Sequence, residues 1–137
     1  MSIRAIPLLV FAFVLYNLIV LAMGADPVAA LGSPIFSVTL LSGGNWTFTW
    51  GDLILLITLF LLFIEIVKST FTTTSTLIDH ALSMVVFIAI LVEFLMVPQA
   101  ATSVFFLILI ASLIDVIAGY TIGIRVARRD LSIGGDQ

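Results

Sequence analysis

The segment Trp50–Ser69, WGDLILLITLFLLFIEIVKS, constrains the fold of this chain more than any other stretch. One acid, Asp52, lies near its start, and Glu65 and Lys68 lie near its end, with an almost unbroken apolar run between them. A helix needs about 20 apolar residues to cross the hydrocarbon core of a bilayer, and this segment meets that requirement. We therefore predict a transmembrane helix here.

The composition extends this prediction to the whole chain. Of the 137 residues, 62% are hydrophobic and 9% are charged, whereas soluble domains average about 25% charged residues. A soluble domain of this size could not bury so much apolar surface. We predict an all-α membrane protein, a single domain over residues 1–137. In this domain four transmembrane helices form a bundle, at about residues 5–23, 51–69, 77–97 and 103–124.

The composition also excludes several functions. The net charge of −3 argues against a nucleic-acid-binding surface, which would be basic. The chain has no cysteine and one histidine, so thiol chemistry is absent and a metal cluster is not expected. No glycine-rich phosphate loop is present. We expect no enzymatic activity, no cofactor and no metal site.

The first segment could also be a secretory signal, since a basic start precedes the apolar run and Ala22-Met23-Gly24 follows it. Its apolar run exceeds the 7–15 residues of such signals, so we expect a membrane span. Asn17 lies past the middle of this segment. It is expected either to bond to another helix or to lie with Tyr16 at the membrane interface.

The loop before the second span predicts a β-hairpin. Apolar and Ser/Thr residues alternate on both sides of Gly43-Gly44, as two strands joined by a turn require. An isolated hairpin is only marginally stable in water. Its apolar face should therefore rest on the membrane interface or on the hairpin of a neighbouring subunit. That face comprises Phe36, Val38, Leu40, Trp46, Phe48 and Trp50.

The basic residues predict the orientation in the membrane. In a four-span chain all five would lie on one side: Arg4, Lys68, Arg125, Arg128 and Arg129. Because cytoplasmic loops are enriched in Lys and Arg, we expect both termini in the cytoplasm and the hairpin outside. An integral protein of a bacterial inner membrane fits this pattern.

Ionisable side chains within the spans are functional candidates, because a charge at the bilayer centre costs at least about 2.5–3.5 kcal/mol. The candidates for an ion or proton pathway are Glu65, Asp79, His80, Glu93 and Asp115. Asp115 lies near the centre of its span, where its side chain cannot reach the headgroups. The other four also have structural interpretations: a partner for Lys68, a helix cap, an interfacial histidine and a headgroup contact.

The depths of these residues suggest a polar seam through the bundle. At about 1.5 Å per residue, Glu65 and Asp115 fall at similar depth and could face each other. Glu93 and Asn17 fall nearer the outside, and Asp79 and His80 nearer the inside. Along the fourth span, Ser112, Asp115, Gly119 and Gly123 form a helix-packing face, in which the two glycines allow close approach.

Two classes of function remain. In the first, the chain acts through helix packing, as a homo-oligomer or as an accessory subunit of a larger membrane complex. In the second, it is a proton or cation channel or transporter that uses Asp115, Glu65 and Glu93. The expected surroundings are the lipid bilayer and other membrane subunits, with no nucleic acid.

Overall fold

The computed structural model of the chain describes residues 6–24, 26–71 and 76–135. One short helix, a two-stranded hairpin and one 3₁₀ turn lie between the longer helices. In chain order the elements are α1 (Leu9–Met23), α2 (Pro27–Leu31), β1 (Pro34–Thr39), β2 (Asn45–Thr49), α3 (Trp50–Lys68), α4 (Thr76–Met96), a 3₁₀ turn (Pro98–Ala100) and α5 (Ser103–Gly135).

Three helices in the described residues are long and apolar enough to cross a membrane, rather than the four expected. They cover Trp50–Lys68, Ile78–Met96 and Ser103–Arg125. The first expected span, at about 5–23, is the exception, because α1 has only 15 residues and measures about 22 Å at 1.5 Å per residue. A straight span needs roughly 30 Å. Pro7 precedes its start, and Gly24, with a φ of 116°, ends it.

The helices form a bundle around α5. This helix packs against both α3 and α4, and α1 packs mainly against α3. A Cβ at Gly51 would touch Val104, and a Cβ at Gly119 would lie 3.6 Å from Ser69 Oγ, so α3 and α5 run parallel. We call the end with Gly51 and the α4–α5 turn the hairpin end. We call the opposite end, with Lys68 and the α5 arginines, the basic end.

The β-hairpin is present, with antiparallel pairs Phe36–Phe48, Ser37–Thr47 and Val38–Trp46. Its turn contains Gly43, whose φ of 87° is readily adopted only by a residue without a side chain. Two residues assigned to the apolar strand face lie outside the strands. Leu40 belongs to the turn, where its N–H donates to the Gly44 carbonyl at 2.8 Å, and Trp50 is the first residue of α3.

A capping box explains why the strand ends before Trp50. The Thr49 hydroxyl accepts a hydrogen bond from the Asp52 N–H at 3.2 Å, and the Asp52 carboxylate accepts one from the Thr49 N–H at 3.0 Å. These two bonds satisfy donors that a helix start would otherwise leave free. Strand β2 therefore continues into α3 without a linker.

Candidate functional site

Polar side chains in the bundle form two clusters, and the first lies toward the hairpin end. The Asn17 amide donates one N–H to Glu93 Oε2 at 3.0 Å and the other to the Phe13 carbonyl at 2.9 Å. Both of its donors are therefore used. The structure thus places Asn17 in an interhelical hydrogen bond between α1 and α4, close to the turn that joins α4 to α5.

Tyr16 makes a second contact there that the sequence did not reveal. Its ring is fully buried against Phe105, at a centroid distance of 4.9 Å. Its hydroxyl donates to the Gln99 carbonyl at 2.7 Å and lies 2.7 Å from Thr102 Oγ1. A phenol has one proton, so the Thr102 hydroxyl donates to Tyr16 in return. This pair of bonds attaches α1 to the α4–α5 turn.

The second cluster, toward the basic end, is organised around Glu65. This side chain is 7% exposed. Its Oε1 accepts hydrogen bonds from the Lys68 ammonium at 3.0 Å and from the Leu8 N–H at 2.8 Å. The pairing of Glu65 with Lys68 had been expected. The contact with Leu8 had not, and it fixes the start of α1 against the last turn of α3.

Asp115 lies beside this group and is 4% exposed. The charged side chains that act electrostatically on its carboxyl group are Glu65 and Lys68, and the polar side chain that does so from α4 is Ser83. Glu65 and Asp115 are thus both buried toward the same end of the bundle. Three helices contribute to the cluster, because Glu65 is on α3, Ser83 on α4 and Asp115 on α5.

His80 completes the basic-end cluster. It is 9% exposed, and its ring lies against Tyr120 at a centroid distance of 4.9 Å. A Cβ added at Gly119 would lie 2.9 Å from two atoms of the imidazole, so the absent side chain of Gly119 makes room for this ring. His80 is therefore a buried residue between α4 and α5 rather than a wetted histidine at the interface.

Two buried polar atoms at this end have no hydrogen-bond partner within the described part of the chain: His80 Nε2 and Asp79 Oδ1. Asp79 lies in the first turn of α4. The sequence Thr76-Leu77-Ile78-Asp79 matches a capping box, and the Thr76 side chain lies outside the described side chains. These two atoms are the least satisfied polar groups of the cluster.

The packing face expected along α5 is used within the chain. Ser112 is 2% exposed, and its hydroxyl donates to the Leu109 carbonyl of its own helix at 2.7 Å. Gly119 accommodates His80 of α4, and Gly123 is half-buried further along α5. Two of these small residues therefore serve contacts inside the bundle.

An apolar layer separates the two clusters. Asn17 and Leu8 are nine positions apart on α1, which corresponds to about 14 Å at 1.5 Å per residue. Buried side chains of all four longer helices fill this interval: Leu9, Ala12, Ile54, Leu62, Ile90, Ile108 and Ala111. Two hydroxyl groups lie at the same depth, but each donates within its own helix, Thr58 to the Ile54 carbonyl and Ser112 to the Leu109 carbonyl. The proposed seam is therefore interrupted.

The side chains of these clusters can form hydrogen bonds, pair charges and exchange protons. No group of three or more His, Cys, Asp or Glu side chains suited to a metal ion occurs among the residues that the structure describes. Comparisons of the chain with protein-family models, curated proteins and solved structures found no significant match.

Proposed function

We propose that this chain is a small integral membrane protein that acts through helix packing, as a homo-oligomer or as an accessory subunit of a larger membrane complex, without catalysis. The observation that carries the proposal is the interruption between the two polar clusters. Each cluster ties helices together, and among the described residues no side chain of the layer between them hydrogen-bonds to both clusters. Such polar contacts stabilise membrane bundles by about 0.6–2 kcal/mol each.

The outer surface of the bundle supports the same proposal. Large apolar side chains are exposed along α3, including Leu59, Phe60 and Phe63, and along α4, including Val85 and Val92. Lipid covers such surfaces, and helices of another membrane subunit can replace that lipid when their shapes fit. The chain has little extramembrane mass with which to act otherwise.

We further propose that α1 also crosses the bilayer and that both termini are cytoplasmic, in a bacterial inner membrane. The start of α1 is bonded to Glu65 toward the basic end, and Tyr16 is bonded to the turn at the hairpin end. The helix thus extends along most of the depth of the bundle. The described basic residues Lys68, Arg125, Arg128 and Arg129 all belong to the basic end, which the positive-inside rule assigns to the cytoplasm.

The orientation is tested by reporter fusions at the N-terminus, within the turn at Gly43 and at the C-terminus. We expect both termini to report a cytoplasmic location and the Gly43 fusion an external one. Each site is fused in turn to two reporters, a fluorescent protein that is active in the cytoplasm and a phosphatase that is active outside it. The two reporters should give opposite results at every site, which provides the internal control. An external N-terminus would show that α1 does not cross and would contradict the four-crossing topology.

A second candidate function, proton or cation transport, is favoured by one observation. Glu65 and Asp115 are both buried toward the basic end, and His80 Nε2 and Asp79 Oδ1 of the same cluster lack partners within the described residues. Buried ionisable groups of this kind line proton paths in membrane proteins. In a single chain such a path would still have to cross the apolar layer between the clusters.

One experiment separates the two functions. The purified protein is reconstituted into vesicles, and proton and cation flux is measured under an imposed gradient for the wild type and for Asp115→Asn. We expect no flux from either protein. We also expect both to elute in mild detergent at the same mass, above that of one chain, because asparagine preserves the shape and the hydrogen-bonding capacity of the Asp115 side chain.

Two results would contradict these expectations. Wild-type flux that Asp115→Asn abolishes at unchanged mass would establish transport and defeat the packing proposal. Elution of the wild type as a single chain, both alone and from membranes solubilised under the mildest conditions, would defeat the oligomer and subunit proposal. Ser112→Ala is the matched control, because Ser112 lies one turn from Asp115 and its hydroxyl bonds only to its own helix among the described contacts.

A further inference from the structure

The β-hairpin carries a cluster of three aromatic rings, two of which are exposed in the structure. Phe36 stacks on Phe48 at a centroid distance of 5.0 Å, and Trp46 meets both rings edge-on at 5.8 and 5.7 Å. Phe36 and Trp46 remain 45% and 46% exposed. The three rings and Val38 therefore form an aromatic face whose rings pack on one another and which remains largely open within the described part of the chain.

The other face and the tip of the hairpin differ from those of a water-soluble hairpin. The opposite face is polar, and its side chains bond across the strands, Ser37 to Thr47 at 2.9 Å and Thr39 to Asn45 at 2.8 Å. The turn, where polar residues prevail in soluble proteins, begins with Leu40 and Leu41, and both are exposed. The whole segment from Pro27 to Gly51 contains no charged residue.

The hairpin is held at the end of the membrane-crossing helices. Strand β2 passes directly into α3 through the capping box of Thr49 and Asp52. The Trp50 N–H donates to the Ser33 carbonyl at 3.2 Å, which ties the first residue of α3 to the start of β1. Gly51 packs between Leu31 and Val104, and Val104 lies in the first turn of α5. The base of the hairpin is thus fixed where two spans begin.

We propose that the aromatic face of the hairpin lies in the headgroup region of the bilayer and anchors the hairpin end of the bundle there. Two-stranded hairpins are marginal in water unless their apolar face is covered, and Trp is enriched at membrane interfaces because its ring is apolar and its N–H is polar. The absence of charge lets the whole segment approach lipid. A second hairpin could cover the same face, but it would not account for the exposed leucines at the tip.

Tryptophan fluorescence tests the proposal, because the chain has only two tryptophans, Trp46 and Trp50. The full-length variant Trp50→Phe, reconstituted into phosphatidylcholine vesicles, reports on Trp46 alone. We expect its emission to shift to shorter wavelength than that of tryptophan in water. We also expect stronger quenching by lipids brominated near the headgroup than by lipids brominated near the chain ends. The matched variant Trp46→Phe reports on Trp50 at the start of the span.

Two outcomes would overturn the proposal. Trp46 that emits at the wavelength of tryptophan in water and is quenched by aqueous iodide would place the aromatic face in solvent. Trp46 that is protected from both iodide and brominated lipid would place it against a second copy or another protein. Mixing labelled and unlabelled chains would then detect the self-contact.

A second measurement does not depend on replacing a tryptophan. The chain has no native cysteine, so a single spin label can be attached at Val38→Cys on the aromatic face or at Ser37→Cys on the polar face. We expect the label at position 38 to be accessible to oxygen dissolved in lipid and the label at position 37 to a water-soluble nickel complex. Equal accessibility of both labels to the nickel complex would overturn the proposal.

Discussion

Gly119→Leu is expected to lower the free energy of unfolding of the bundle. A Cβ at this position alone would lie 2.9 Å from both Cε1 and Nδ1 of His80, closer than packed atoms approach. The imidazole has little room to retreat, since it is 9% exposed and lies against Tyr120. The new side chain would therefore force α4 and α5 apart.

The free-energy cost of the clash is expected to exceed the gain in helix propensity. Replacing glycine by leucine in a helix gains less than about 1 kcal/mol, whereas overpacking a filled site costs roughly 1–3 kcal/mol and sometimes more. The free energy of unfolding, measured in mixed micelles with a denaturing detergent, should fall accordingly. His80→Ala is the diagnostic partner, because it removes the obstructing ring. The decrease in the free energy of unfolding of the double variant should be smaller than the sum of the decreases of the two single variants. Additive decreases would show that Gly119 and His80 are not in contact.

Glu65→Leu is expected to release the start of α1 from the bundle. The substitution removes the acceptor of the Leu8 N–H and the partner of the Lys68 ammonium. A buried donor left without an acceptor costs about 1–3 kcal/mol. The loss at Lys68 is smaller, because its side chain is 31% exposed and can turn toward water. Most of the effect therefore comes from the backbone contact with α1.

The readout is hydrogen exchange at the amides of Leu9–Tyr16 in detergent micelles. We expect faster exchange in Glu65→Leu and near-normal exchange in Glu65→Gln, because the glutamine oxygen can still accept from the Leu8 N–H. Equal protection in all three proteins would show that α1 is held without Glu65. Faster exchange in Glu65→Gln as well as Glu65→Leu would assign the effect to the lost charge instead.

The sequence predicted those features that depend on local pattern. The length of the apolar run in α3 and the period-2 alternation around Gly43-Gly44 can both be counted along the chain. The expectation that Glu65 and Asp115 lie at similar depth came from counting residues from the membrane surface. These predictions needed no knowledge of which helices pack together.

The features that were missed depend on contacts distant in sequence. Tyr16 and Gln99 are 83 positions apart, and the acceptor is a backbone carbonyl. The donor from Leu8 to Glu65 is likewise a backbone group, and every non-proline residue carries such a donor. The first span was predicted to begin at about residue 5, whereas α1 begins at Leu9, because apolar composition continues on both sides of Pro7 and does not mark where the helix starts; its end at Met23 was placed correctly. The end of β2 was misplaced because the cap at Thr49 overrides the alternation that continues to Trp50.

The direct junction between β2 and α3 has a mechanical consequence. With no linker to absorb torsion, rotation of α3 about its long axis carries the hairpin around with it. A strand of five residues extends about 17 Å at roughly 3.3 Å per residue. A small rotation of the helix therefore displaces Leu40 and Leu41, at the tip of the hairpin, by a larger distance than the residues at its base. The position of the hairpin is therefore coupled to the rotation of α3 about its axis. Any ligand or subunit that rotates this helix must also move the hairpin.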